Sequence, residues 1–179
     1  MKNLLIFITL VTCLYCCKKN DDDTPTNPID QLPPATQTGA NTAGCLVDGQ
    51  AFLPNNGSTL PLVLNYLDGE DFTLGIGNEI NNELNRILIS KYNIQLQVGQ
   101  TYLLNQEFGA NSSTGEYSID TASPPSPNYY STNPEVTGEL NITHHDFERA
   151  ILSGTFWFDA INSEGEIVKI REGRFDMEY

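Results

Sequence analysis

Two adjacent histidines followed by an aspartate, His144-His145-Asp146, form the most reactive-looking cluster in the sequence, and the chain contains no other histidine. On a β-strand, adjacent side chains face opposite sides, so these two imidazoles would not readily ligate one metal ion. We expect instead a turn capped by His and Asp, between a strand that ends near Thr143 and one that starts near Ala150. The sequence therefore predicts no metal site and no cofactor.

Other patterns that could support catalysis are no stronger. The Gly-x-Ser-x-Gly elbow of serine hydrolases does not occur. The acidic stretch at 68–71 (DGED) is interpreted as a solvated hairpin tip rather than a cation site. No pair of carboxylates stands out for glycoside cleavage. We assign no catalytic residue, and a polymer-degrading hydrolase with a dispersed acidic site is kept as the alternative function.

Aromatic side chains offer a different chemistry, stacking on a ligand. Trp157 alternates with Phe156 and Phe158, so if the two phenylalanines fill a core, the indole faces outward. There it could stack on a glycan or an envelope protein, or cover a neighbouring strand. Tyr129 and Tyr130 lie in a proline-rich stretch and form a second candidate contact, unless they hold that stretch in place. We therefore expect ligand contacts at Trp157, Tyr129 and Tyr130.

Three of the four cysteines lie at the end of an apolar run, LLIFITLVTCL, or directly after it. The run is too short to cross a bilayer and fits the centre of a secretory signal. The junction resembles the lipobox of bacterial lipoproteins, in which a cysteine receives a diacylglycerol and becomes the mature N-terminus. The preferred candidate is Cys17, which has Leu14 three residues before it; Cys16 and Cys13 are alternatives, as is a plain secretory peptide. The resemblance implies a signal peptide at 1–16 and a lipid anchor in the membrane.

A charged run follows the candidate cysteine. It resembles the signal that routes lipoproteins of Bacteroidota to the cell surface, and it comprises Lys18, Lys19, Asp21, Asp22 and Asp23. The simpler interpretation is a solvated tether, and a tether can also carry such a signal. We expect residues 17–41, rich in Pro, Thr and Asn, to be a disordered tether, and the protein to be lipid-anchored at the outer membrane, exposed on the cell surface.

The overall charge restricts the partners. With 23 acidic and 9 basic residues, the chain carries a formal net charge of -14. A surface that binds the phosphate backbone of nucleic acid is therefore not expected. Cys45, flanked by Gly44 and Leu46, has no activating neighbour and is interpreted as a small buried hydrophobic residue.

Alternating apolar residues predict a β-rich domain over residues 42–179. A period of two places each set on one face of a strand. The alternating sets are Leu60, Leu62, Leu64 and Tyr66; Phe72, Leu74 and Ile76; Val136, Leu140 and Ile142; Phe156, Phe158 and Ala160; and Phe175, Met177 and Tyr179. Further candidate strands are 45–53, 86–92, 94–98, 101–104, 116–119 and 164–173.

Turn signals between these runs predict antiparallel neighbours. Asp48-Gly49, Asp68-Gly69, Val98-Gly99-Gln100 and Glu164-Gly165 separate runs that could pair as hairpins. The stretch 78–86 (NEINNELNR) is the single helix candidate, no longer than a turn, and 121–135, with four prolines, is expected to be an exposed loop. We predict an all-β, antiparallel sandwich or flattened, partly closed barrel of about nine strands, with a lipocalin-like barrel as the alternative.

Residues 32–179 resemble an uncharacterised family of Bacteroidota lipoproteins, and two segments at the ends of this range carry the resemblance. They read LPPATQTGANTAGCLVDGQAFLP at 32–54 and ILSGTFWFDAINSEGEIVKIREGRFDMEY at 151–179. The resemblance implies a small β-rich domain and lipoprotein status, and it brings no activity or ligand. Together with the exposed aromatics, it favours a non-enzymatic binding or interaction domain whose partner is a glycan or an envelope protein.

Overall fold

The computed structural model describes residues 27–55, 57–107, 109, 112–121 and 128–179. Within these residues, a short 3₁₀ helix, Pro28–Gln31, precedes eleven strands. The strands are β1 (Thr42–Val47), β2 (Gln50–Phe52), β3 (Leu62–Leu67), β4 (Asp71–Ile80), β5 (Glu83–Tyr92), β6 (Thr101–Leu104), β7 (Ser113–Thr121), β8 (Asn128–Ser131), β9 (Gly138–Asp146), β10 (Ile151–Ile161) and β11 (Ile167–Glu178).

All strands join one antiparallel sheet that curves into a half-barrel. Its main path runs β2-β1-β11-β10-β8-β7-β5-β4-β3, with β9 added beside β10 and β6 beside β9. The predicted all-β, antiparallel fold is confirmed in its partly closed form. Within the described residues, the end strands β2 and β3 do not pair with each other, so the half-barrel keeps two edges.

Strand β10 is the centre of this arrangement. Along one side it pairs with β11, and along the other with β9 through residues 151–158 and with β8 at Ile161. Strands β8 and β9 run in the same direction along β10, separated by residues 132–137. The outward side chains of β10 therefore have neighbours from several distant parts of the chain.

The apolar alternation of the sequence faces the inside of the half-barrel. Phe72, Leu74 and Ile76 on β4 are fully buried, as are Phe158 and Ala160 on β10. Phe175 and Met177 on β11 and Leu140 and Ile142 on β9 complete the same core. Leu60 departs from the prediction, since it lies before β3 and is 57% exposed. Cys45 is fully buried, as expected, and burial raises the pKa of its thiol.

Three local predictions were wrong. The helix candidate at 78–86 is a β4–β5 hairpin, because Asn81 and Asn82 adopt φ of 55° and 64° and close a two-residue turn between paired strands. Residues 94–98 form no strand and instead connect β5 to β6. The proline-rich stretch 121–135 contains strand β8, which pairs with β7 and β10; residues 122–127 lie outside the described residues.

Part of the predicted tether packs on the domain. The carboxylate of Asp176 on β11 accepts hydrogen bonds from the side chains of Thr36, Thr38 and Ser153 and from the backbone N–H groups of Thr38, Gly39 and Ala40. Asp176 is 1% exposed, and these hydrogen bonds satisfy its buried carboxylate in place of water. Residues 36–40 are thus held against the sheet, whereas 17–26 lie outside the described residues.

Candidate functional site

Trp157 faces outward from β10, as its alternation with Phe156 and Phe158 predicts. The indole is 36% exposed and forms a wall of a surface groove of about 560 Å³. Phe156 and Phe158 on either side are 3% and 0% exposed. A partly exposed tryptophan ring thus lies on the outer face of the sheet, where it is available for stacking.

A β-bulge in β11 sets the surroundings of Trp157. Phe156 pairs with Gly173 and Phe158 with Ile170, so Trp157 opposes both Arg171 and Glu172. Glu172 adopts a φ of 55°, in the left-handed region that glutamate rarely occupies. The extra residue allows Arg171 and Arg174 both to line the groove beside the indole.

Two charged contacts hold the indole in place. The guanidinium carbon of Arg171 lies 5.3 Å from the centroid of the Trp157 ring, within the range of a cation–π contact. Arg171 is itself fixed by an ion pair with Asp159 and by a 3.1 Å hydrogen bond to the carbonyl of Phe158. On the other side, Nε1 of Trp157 donates to Oε2 of Glu139 at 3.2 Å. The ring is therefore positioned before any ligand arrives.

The rest of the groove combines donors and acceptors. Glu139, Glu172 and Asn141 line it together with Arg171 and Arg174. The guanidinium of Arg174 lies 3.6 Å from the Glu172 carboxylate, so part of its charge is compensated. An aromatic face edged by opposite charges suits a hydroxylated ring better than a strongly charged ligand.

The two adjacent tyrosines are separated by the sheet. Tyr129 on β8 is 54% exposed and lines a second groove of about 770 Å³. Tyr130 is 9% exposed; its ring packs near that of Tyr117, and its hydroxyl donates to Glu166 at 3.3 Å. Tyr129 is therefore accessible to a ligand, whereas Tyr130 packs in the interior of the domain.

The second groove brings together charged residues that the sequence did not single out. Arg86 on β5, Glu116 on β7 and Glu107 in the segment between β6 and β7 all line it. Burial raises the pKa of the Glu116 carboxyl, and the charge of Arg86 partly offsets that rise. These residues are distant in sequence and follow no local pattern, so no signal in the chain predicts that they line one groove.

The histidine cluster is a packing element. Both histidines lie within β9, where the sequence predicted a turn, because the strand continues to Asp146. His145 stacks on Phe147 with 3.8 Å between ring centroids, and its Nε2 lies 2.9 Å from the Tyr179 hydroxyl. Asp146 does cap the following turn, accepting from the N–H groups of residues 148 and 149. The described residues contain no group of His, Cys, Asp and Glu arranged to hold a metal ion.

The residues assigned to anchoring and export, Cys17, Lys18, Lys19 and Asp21–Asp23, lie outside the described residues. Within the described part of the chain, no helix combines the length and apolarity needed to cross a membrane. The anchoring assignment therefore depends on the sequence alone.

Comparison with known proteins gives a family without an activity. A family described as a domain of unknown function, DUF6252, matches residues 69–177, which span the structure from the β3–β4 turn to β11 and include Trp157 and Tyr129. No curated protein and no solved structure matches the chain. Since the match covers more than half of the sequence, the chain belongs to the DUF6252 family of uncharacterised domains.

Proposed function

We propose that this protein is a lipoprotein, anchored in the outer membrane through Cys17 and exposed on the cell surface, whose β domain binds a glycan at the Trp157 groove without cleaving it. The observation that carries the proposal is the indole itself. It is exposed beside a groove, yet Arg171 and Glu139 fix its orientation. A rigid aromatic face loses little conformational entropy when a ligand stacks on it.

Binding to carbohydrate tests the proposal directly. The full chain, purified in detergent, is applied to an array of bacterial and plant polysaccharides, and the best ligand is titrated by calorimetry. Trp157→Ala should weaken binding about tenfold or more, because the stacking surface is lost. Tyr92→Ala is the matched control, since Tyr92 is 37% exposed but lines neither groove.

The outcomes separate the partner classes. Binding that Trp157→Ala abolishes and Tyr92→Ala preserves supports the glycan-binding function. Absence of carbohydrate binding, together with Trp157-dependent capture of a defined outer-membrane protein, would replace the glycan by an envelope protein. Equal effects of the two substitutions would refute a role for the groove.

The anchor is tested separately. Labelled palmitate should be incorporated into the wild-type chain and into Cys13→Ala and Cys16→Ala, but not into Cys17→Ala. Mass spectrometry of the mature N-terminus checks the cleavage site after residue 16. Protease treatment of intact cells should degrade the wild-type protein, and replacement of Asp21, Asp22 and Asp23 by Asn should protect it. Labelling that survives Cys17→Ala would refute the assignment.

One observation favours the enzymatic alternative. Glu107 and Glu116 line the same groove, and burial raises the pKa of Glu116, as a general acid requires. A hydrolase would release reducing ends from the polysaccharide it binds, and Glu116→Gln would stop that release. Stable ligand over prolonged incubation with the wild-type protein favours the binding function instead.

A further inference from the structure

The Trp157 groove and the second groove, which Tyr129 lines, lie on the same face of the sheet. Side chains of β10 at 155, 157, 159 and 161 point outward, as the burial alternation of the strand shows. Trp157 lines one groove and Ile161 lines the other. Four residues of a strand span about 13 Å. The two grooves are therefore neighbours along one strand, and one elongated ligand can reach both.

Arg86 is an unusual cation in the second groove. Among the described residues its side chain forms no hydrogen bond and no ion pair within 4.0 Å, and its Nε is buried without a partner. Glu116 lies diagonally across the β5–β7 ladder, where Arg86 pairs with Ser118 and Leu88 with Glu116. The two charges are near enough for Arg86 to affect the pKa of Glu116, yet they do not touch. Arg86 and Glu116 thus line the same groove without forming an ion pair with each other.

The chemistry of this pair selects among ligands. A carboxylate would suit Arg86 but would be repelled by Glu116 and Glu107, in a chain whose net charge is already -14. An ammonium group would suit the glutamates but would be repelled by Arg86. A hydroxyl group accepts from the guanidinium and donates to the carboxylate, so it satisfies both. Neutral polyols therefore fit the site best.

The walls of the second groove complete a sugar site. Tyr129 exposes half of its surface there, and Leu88 and Ile161 add apolar area. Aromatic and aliphatic surface next to a few convergent polar groups is the usual composition of a small-molecule site. The Trp157 groove has the same composition, an aromatic ring between arginine and glutamate.

We infer that the two grooves are subsites for one neutral polysaccharide chain that lies along β10, with Trp157 and Tyr129 stacking on separate sugar units and Arg86 and Glu116 sharing a sugar hydroxyl. The inference rests on the proposed glycan binding and adds the class of polymer and its path. It predicts that affinity depends on chain length, because a short oligosaccharide can fill only one subsite.

The experiment uses the full chain in detergent and calorimetric titration with cellohexaose, xylohexaose, mannohexaose and laminarihexaose. The corresponding disaccharides test chain length, and hexagalacturonate is the acidic comparator. At least one neutral hexasaccharide should bind tenfold or more tighter than its disaccharide and than hexagalacturonate. Tyr129→Ala and Arg86→Gln should each lower hexasaccharide affinity about tenfold and leave disaccharide affinity unchanged.

Matched controls and folding checks accompany these variants. Arg149→Gln removes one positive charge away from both grooves, and Tyr92→Ala removes an exposed ring; neither should change affinity. Tyr129 is exposed, so its alanine variant keeps the inference testable even if Arg86→Gln fails to fold. Thermal unfolding checks both.

Failure of the inference differs from failure of the proposed function. Affinity that depends on Trp157 but not on chain length, Tyr129 or Arg86 leaves glycan binding intact and overturns the two-subsite path. Preference for hexagalacturonate overturns the neutral class. Absence of binding to every oligosaccharide overturns the inference, and absence on the polysaccharide array overturns the proposed function as well.

Discussion

Asp176→Asn should destabilise the domain by removing the charge at the centre of the contact with residues 36–40. Oδ2 of Asp176 accepts four hydrogen bonds, and Oδ1 accepts those from the Gly39 N–H and the Ser153 hydroxyl. An asparagine whose amide oxygen takes the position of Oδ2 places its NH₂ group at the position of Oδ1. The Ser153 hydroxyl can rotate and accept from it, but the Gly39 N–H cannot.

The magnitude follows from these contacts. A donor left without an acceptor costs about 1–3 kcal/mol, and the remaining bonds lose the extra strength that a charged acceptor gives them. We expect a loss of about 3 kcal/mol in the free energy of unfolding, measured by urea denaturation of the full chain at neutral pH with circular dichroism. Asp30→Asn is the control, because Asp30 is exposed and should change stability by less than about 0.5 kcal/mol.

The effect should depend on pH. Burial alone would raise the pKa of Asp176, but hydrogen bonds from Thr36, Thr38, Gly39 and Ser153 hold it well below its ordinary value of 3.8. A depressed pKa in the folded state gives stability that is fully present above the unfolded value and is lost as pH falls through the folded one. The difference between wild type and Asp176→Asn should therefore shrink below pH 3.8. A loss under about 1 kcal/mol, or one that is constant with pH, would refute this account.

Three further predictions concern other sites. Asn82→Gly should stabilise the β4–β5 hairpin by about 0.5–1 kcal/mol in urea denaturation, because glycine adopts the positive φ of this turn without strain, whereas Asn65→Gly in β3 should destabilise. Burial lowers the pKa of His145 from 6.5, so wild-type stability should fall as pH drops below 6.5, and His145→Phe should abolish that fall; an unchanged pH profile would contradict it. Burial also lowers the pKa of Lys91 from 10.5, so wild-type stability should rise relative to Lys91→Met as pH approaches 10.5. A difference in the free energy of unfolding that does not change with pH would exclude this.

The sequence predicts the strands well where burial is one-sided. Phe72, Leu74 and Ile76 alternate with Thr73 and Gly75 because the large apolar side chains of β4 all point from one face into the core. The same kind of alternation correctly places Trp157 outside. The Asn81-Asn82 turn was misread because asparagine lowers both helix and strand propensity, and its tolerance of positive φ becomes decisive only once the strands pair.

The charged partners of the grooves could not be predicted. Arg171 reaches Trp157 because the bulge at Glu172 adds a residue to β11. The apolar alternation does change phase there, from Val168 and Ile170 to Phe175 and Met177, but this change does not specify which side chains oppose Trp157. Arg86 and Glu116 lie near each other because β5 pairs with β7, although the two residues are thirty positions apart in the sequence. Such contacts depend on pairing between strands, which local sequence does not specify.

The position of residues 36–40 has a mechanical consequence. Ala35, just before this segment, lines the Trp157 groove. If the chain is anchored at Cys17, tension between the membrane and a bound polymer acts first on the packing of the 3₁₀ helix and of buried Leu32, and then on the hydrogen bonds of Asp176. Release of these contacts would withdraw Ala35 from the wall of the groove. Pulling single molecules should then reveal an early extension that Asp176→Asn shifts to lower force; without that step, this coupling does not exist. The membrane anchor would thereby make binding of the polymer depend on the tension in the chain.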